Sequence, residues 1–161
     1  MQQENKKAAV AFWILSFVCM AVIFYFSSRT ATESAAQSHS ILQWIKDIFG
    51  DNGVTDFIVR KSAHCLEYTG LCLLLNFAWL FTRGKRSMTL SVICASIYAI
   101  SDEVHQIFID GRSCELRDWA IDTVGAILGA IGFLVIYLII DAIIKKHKSA
   151  LTTEGFGNKI A

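Results

Sequence analysis

Residues 101–122 read SDEVHQIFIDGRSCELRDWAID, a dense run of charged and polar side chains set between two apolar stretches. Upstream, Met88 to Ile100 is almost wholly apolar, and downstream Thr123 to Ile140 carries no charge. Asp102, Glu103, His105 and Asp122 therefore fall within or beside hydrophobic runs of membrane length. Ionisable groups in such surroundings are costly to keep, and they mark a working site by default.

Composition sets the frame around this stretch. The chain has 161 residues, 54% of them hydrophobic, and a mean hydropathy of +0.47. That is too apolar for a soluble domain of this length and enough for one small helical membrane domain. With a net charge of +1 and no basic tract longer than the KKHK at 145–148, nucleic acid is excluded as a partner. The five cysteines form no C-x-x-C pair. Cys19, Cys65, Cys72 and Cys94 lie in apolar runs, where a thiol acts as a small hydrophobe, and Cys114 reads as a spectator in a polar loop. Proline is absent, so each apolar run can be one unbroken helix, which weighs against transporter folds built on interrupted helices.

Taken in order, Lys6 and Lys7 precede the uncharged run Ala8 to Phe26, which is longer than a secretory h-region and lacks a cleavage site, so it reads as a first transmembrane helix. Ser27 to Ser40 reads as a polar connector. Ile41, Trp44, Ile45, Ile48 and Phe49 then recur at helical spacing, giving a short amphipathic helix. It either lies in the membrane interface with Trp44 as anchor or packs on the bundle as a cover. Asp51-Asn52-Gly53 is a turn signal. The second span is Ser62 to Phe81, the third Met88 to about Phe108, and the fourth Trp119 to Ile140.

The expected fold is an all-α membrane protein: four transmembrane helices with a short amphipathic helix in the first extracytoplasmic loop. Residues 1–148 form the domain, and residues 149–161 form a flexible cytoplasmic tail. Nine of the fifteen basic residues lie in the N-terminal segment, the second loop and the tail, so both termini are expected in the cytoplasm.

This topology brings the start of span two, the end of span three and the start of span four to one outer face. Span two contributes Arg60, Lys61, His64, Glu67 and Tyr68, with Arg60, His64, Glu67 and Leu71 on one helical face. Span three contributes Asp102, Glu103, His105 and Gln106; the loop and span four add Arg112, Arg117, Asp118 and Asp122. Asp118, Asp122, Gly125 and Gly129 share a face, and Gly125 to Gly129 is a small-xxx-small pattern that admits a close helix neighbour. Any one buried His–carboxylate pair could serve packing alone. So many ionisable groups at one depth argue for a functional cluster, because packing could use apolar side chains instead.

Three chemistries fit. His64, Glu67, Asp102 and His105 are candidate ligands for a divalent metal, from two i, i+3 pairs. Glu67 or Asp102 could act as a general base through a histidine, with Glu103, Asp118 and Asp122 as further acids. Arg60, Arg112 and Arg117, with Lys61, Tyr68 and Gln106, form a rim suited to phosphate or carboxylate. No serine or cysteine has the setting of an activated nucleophile, so covalent catalysis ranks last. The expected partner is a membrane lipid or lipid-linked envelope precursor.

Three segments carry a family resemblance: FYFSS at the end of span one, RKSAHCLEYTGL, and SDEVHQIFIDGRSCELRDWAIDTVGAILGA. Together they resemble the VanZ-like family, named after a membrane protein of teicoplanin resistance. The resemblance implies an all-helical membrane protein and a role in tolerance to glycopeptide antibiotics. The family pattern often has Pro before Gly and Asn where this chain has Asp110 and Asp122, so Asp122 adds a charge here. Two function classes follow: a binding or protective protein, and a membrane-embedded hydrolase or transferase. A third, an accessory subunit, would need the glycine face to be free for a partner.

Overall fold

Uncharged runs without proline lose few backbone hydrogen bonds by staying helical, and in a bilayer no other single-segment conformation satisfies its own polar groups. The computed structural model describes residues 5–51 and 53–157, and among these it forms five helices and no strand: α1 Lys6–Ser27, α2 Ala31–Phe49, α3 Asp56–Arg83, α4 Met88–Gln106 and α5 Leu116–Gly157. Three of them are long and apolar enough to cross a membrane: α1, α3 and, within α5, Leu116–Ser149. The expected third span, α4, is 19 residues long and is not among them; Asp102, Glu103 and His105 occupy its last two turns. α5 continues past Lys148, where a flexible tail was expected to begin, and runs to Gly157; residues 158–161 lie outside the described residues, as does Asn52 of the expected turn.

The expected connector 27–40 is corrected. A Thr-x-x-Glu capping box starts α2 at Ala31, ten residues before Ile41: Thr30 Oγ1 accepts from Glu33 N at 3.3 Å, and Glu33 Oε2 accepts from Thr30 N at 3.0 Å. These bonds, the Thr30 backbone N–H foremost, hold the Glu33 carboxyl below its usual range. α2 seats Ser38 and Leu42 inward and leaves Trp44, Ile48 and Phe49 exposed. At its end Gly50 takes a φ of 73°, a left-handed conformation that stops the helix.

α3 is the central helix, in contact with all four others or their flanking turns. Its buried stripe of Tyr68, Leu71, Cys72 and Leu75 joins Ile23 of α1, Ala95 and Ala99 of α4, and Ala126 and Ala130 of α5 in one core. The small residues Ser91, Ala95 and Ala99 lie buried four apart on α4, which brings that helix close. Tyr98 reaches across to donate to Met20 O at 2.7 Å, and Trp119 Nε1 donates to Ser96 Oγ at 3.1 Å.

The tightest approach is between α3 and α5. A Cβ built on Gly125 would stand 2.3 Å from Cys65 O, and one built on Gly129 would stand 2.3 Å from Thr69 O. Thr69 Oγ1 donates to Gly125 O at 2.9 Å across the same seam. The glycine face is thus spent within the chain, against α3, and is not free for an accessory partner.

Gly125→Ala and Gly129→Ala should each force the helices apart and destabilise the protein by about 1–3 kcal/mol, the usual cost of overpacking. Gly132, on the same helix, has open space where a Cβ would go, so Gly132→Ala should be neutral or slightly stabilising. Thermal unfolding of the detergent-solubilised variants checks the contrast; equal melting temperatures for all three would refute the seam.

Candidate functional site

The start of α3, the turn 107–115 and the inner side of α2 enclose a cleft with two lobes. The outer lobe, about 230 Å³, is lined by Arg60, Lys61 and His64 of α3, Gln106 of α4, Arg112 of the turn and Arg117 and Asp118 of α5, among others. The inner lobe, about 100 Å³, runs under Ser34, Ser38 and Ile41 of α2 to Glu67. Arg60, His64 and Arg112 line both lobes. Arg60, His64 and Glu67 do line one face of α3, as their spacing requires, with Leu71 next along it in the core.

The turn that carries Arg112 is built from local hydrogen bonds and tied to the start of α2. Phe108 N donates to His105 O at 3.0 Å, and Arg112 N donates to Ile109 O at 3.0 Å. Gly111 takes a φ of 72°, and a Cβ there would stand 3.0 Å from Ala31 Cβ. Ala31 N donates to Asp110 O at 3.1 Å, and Arg112 Nε donates to Arg29 O at 3.1 Å. Burial pulls the Arg112 guanidinium below its ordinary value and Arg60 adds to this, while Asp102, Asp118 and Glu103 act the other way.

Charges in the cleft are unevenly paired. Lys61 Nζ contacts Asp118 Oδ1, both side chains mostly buried, so this pair ties α3 to α5. Arg117 is half out of the cleft, on Glu115 at 2.9 Å and over the Phe57 ring at 5.0 Å. His64 Nδ1 stands 3.7 Å from Glu67 Oε2. Among the described residues neither Arg60 nor Arg112 forms an ion pair, and the buried Arg60 Nε has no hydrogen-bond partner. Two guanidinium groups thus line a confined space without a direct ion pair among the described residues, although Glu67, Glu115 and Asp118 line the same lobes.

Beneath the cleft lie the buried acids. Gln106 Nε2 donates to Asp102 Oδ2 at 3.2 Å and to Ser27 Oγ at 3.1 Å. Glu103 Oε2 accepts from Glu115 N at 2.7 Å. Among the described residues Asp102 Oδ1, Glu103 Oε1, the Tyr68 hydroxyl and both oxygens of Asp122 have no hydrogen-bond partner. Asp122 is 1% exposed. Unpartnered polar atoms at this depth are where strain, proton chemistry or a ligand is to be sought.

Not every expected residue joins this group. The His105 ring stacks on Phe24 with centroids 4.4 Å apart, and its Nε2 meets Ser28 Oγ at 3.0 Å. It lines neither lobe and holds α4 to the end of α1. Among the described residues no group of three His, Cys, Asp or Glu side chains is gathered closely enough to hold a metal ion. Sequence reading missed Ser27 and Ser28 as partners of Gln106 and His105. It missed Ser34 and Ser38 as the roof of the inner lobe as well; the Thr30/Glu33 capping box was the signal that could have found the roof.

A family model described as VanZ/LLP1 matches residues 12–140. No curated protein and no solved structure matches the chain.

Lys61→Met should destabilise the protein by about 3–5 kcal/mol, the usual cost of leaving one buried charge without its partner. The double variant Lys61→Met/Asp118→Leu should recover most of that loss. Thermal unfolding of the three proteins measures it, and a double variant no better than the single one would show that the pair is not coupled.

Proposed function

The chain belongs to the VanZ/LLP1 family, and from that premise we propose that it is a four-span protein of the cell membrane whose outward-facing cleft binds the anionic headgroup of an envelope lipid or lipid-linked precursor. In this reading α4 is the remaining span. Its outer strip of Ile93, Ile97, Ile100 and Val104 is about half exposed and faces away from the core, as a lipid-contacting strip does. At about 1.5 Å per residue, its 19 residues reach roughly 28 Å, close to the hydrocarbon thickness. Lys6, Lys7, Arg83, Lys85, Arg86, Lys145, Lys146 and Lys148 set the opposite end in the cytoplasm, with both termini there.

The observation that carries the proposal is the pair Arg60 and Arg112, which line both lobes yet, among the described residues, form no ion pair. A phosphate between them would accept bidentate, charge-assisted hydrogen bonds and relieve their mutual repulsion. Sequestering or shielding such a headgroup is how the protein contributes to tolerance of teicoplanin-type glycopeptides. The competing reading is a hydrolase or transferase acting on a lipid-linked phosphate. It is favoured by Glu67 and His64 at the inner end of the same cleft and by the unpartnered oxygens of Asp122 below it.

Arg60→Gln or Arg112→Gln should weaken binding of an anionic lipid by about 10- to 100-fold, the equivalent of roughly 1.5–3 kcal/mol for a hydrogen bond to a charged group. Native mass spectrometry of the purified protein with phosphatidic acid reads the affinity, and glycopeptide susceptibility of cells carrying each variant reads the consequence. Unchanged affinity in both variants refutes the headgroup site. Glu67→Gln should leave both readouts intact; binding retained with tolerance lost would transfer support to the enzyme.

A further inference from the structure

On the far side of the α5 N-terminus lies a second hollow of about 450 Å³, formed by Ile100, Glu103 and Val104 of α4 with Cys114, Glu115, Leu116 and Trp119. Its volume is within the range of ligand pockets, roughly 300–1,000 Å³. The walls are apolar except at one end. Ile100 and Val104 are each 49% exposed and continue the outer strip of α4. Trp119 is fixed by its bond to Ser96, so its ring is a rigid wall. Glu103 supplies the polar end: its residue is 3% exposed, Oε2 is taken by Glu115 N, and Oε1 has no partner. Glu115 lines this groove and the outer lobe alike, so the two cavities meet over a single residue.

We infer that the groove between α4 and the start of α5 seats the hydrocarbon chain of the same phosphate-bearing lipid whose headgroup enters the arginine cleft, the chain crossing the α5 N-terminus at Glu115. The inference rests on the headgroup reading and adds where the rest of the molecule goes. Polarity along the path matches one amphiphile. Cations lie at one end, an unpartnered carboxylate oxygen able to accept from a hydroxyl or amide lies at the junction, and branched apolar side chains open toward the bilayer lie at the other. A free phosphate would use only the first of these. A chain already dissolved in bilayer hydrocarbon gains little from burial as such, so the groove acts by aligning the chain and selecting its shape.

The test uses the full chain in phosphatidylcholine nanodiscs doped with phosphatidic acid that carries a diazirine on its acyl chain. After illumination, labelled residues are mapped by mass spectrometry and compared with those from a phosphatidylcholine probe of the same chain. Labelling at residues 100–104 and 114–119 should be enriched roughly tenfold for the phosphatidic acid probe, about 1.4 kcal/mol of preference. Val104→Trp, which fills the groove at a half-exposed position, should abolish that enrichment while binding of inorganic phosphate stays unchanged. Leu116→Trp, at a position 77% exposed, repeats the test should the first variant not fold. If phosphatidic acid binds in an Arg60-dependent manner yet labels the outer strips no differently from phosphatidylcholine, the groove assignment is overturned and the headgroup reading stands. If neither phosphatidic acid nor inorganic phosphate binds, both are overturned together.

Discussion

Everything at the charged end depends on how closely α3 and α5 touch. Without side chains at Gly125 and Gly129, the carbonyls of Cys65 and Thr69 lie against the backbone of α5. In a bilayer such contacts supply association energy that hydrophobic burial cannot, because lipid tails are as apolar as leucine. One turn back along α5 from Gly125, toward its N-terminus, comes Asp122, then Asp118. The glycine seam therefore decides how near those carboxylates come to α3. Lys61 meeting Asp118 and Asp122 buried beside the other acids both follow from it.

The site combines two regimes of electrostatics. Lys61 and Asp118 neutralise each other and act as a clasp between helices. Among the described residues Arg60 and Arg112 have no such ion-pair partner, and Arg112 is held in place through a neutral backbone carbonyl on Arg29. Below them, Gln106 spans from Ser27 to Asp102 and so links the end of α1 to the end of α4 with hydrogen bonds alone. Cations, hydrogen-bonding groups and acids thus stand side by side in the cleft, with Asp102, Glu103 and Asp122 buried.

Much of this was legible in the chain before any coordinates. The spacing of Arg60, His64 and Glu67 fixes a common helical face, because 3.6 residues per turn admits no other outcome. Gly125 and Gly129 announced a close contact, although not with which helix: small residues permit approach and do not name the neighbour. The start of α2 was harder, since polar side chains such as those of 31–40 show no apolar period, and only the reciprocal bonds of Thr30 and Glu33 signal a helix start. His105 lies apart from His64 and the cleft because its partners, Phe24 and Ser28, lie some eighty positions earlier. Such pairing is decided by tertiary packing and leaves no local trace. The charges after Ile140 end an apolar run without ending a helix, so α5 runs beyond the expected span to Gly157.

The turn 107–115 is joined to the junction of α1 and α2 twice, through Ala31 N to Asp110 O and through Arg112 Nε to Arg29 O. Roof and receptor therefore hang from one strut. A shift of the Arg112 guanidinium strains the attachment of α2, and a displacement of α2 tugs the guanidinium in return. The position of Arg112 and the posture of α2 are thus coupled by two hydrogen bonds, so whatever moves one is felt by the other.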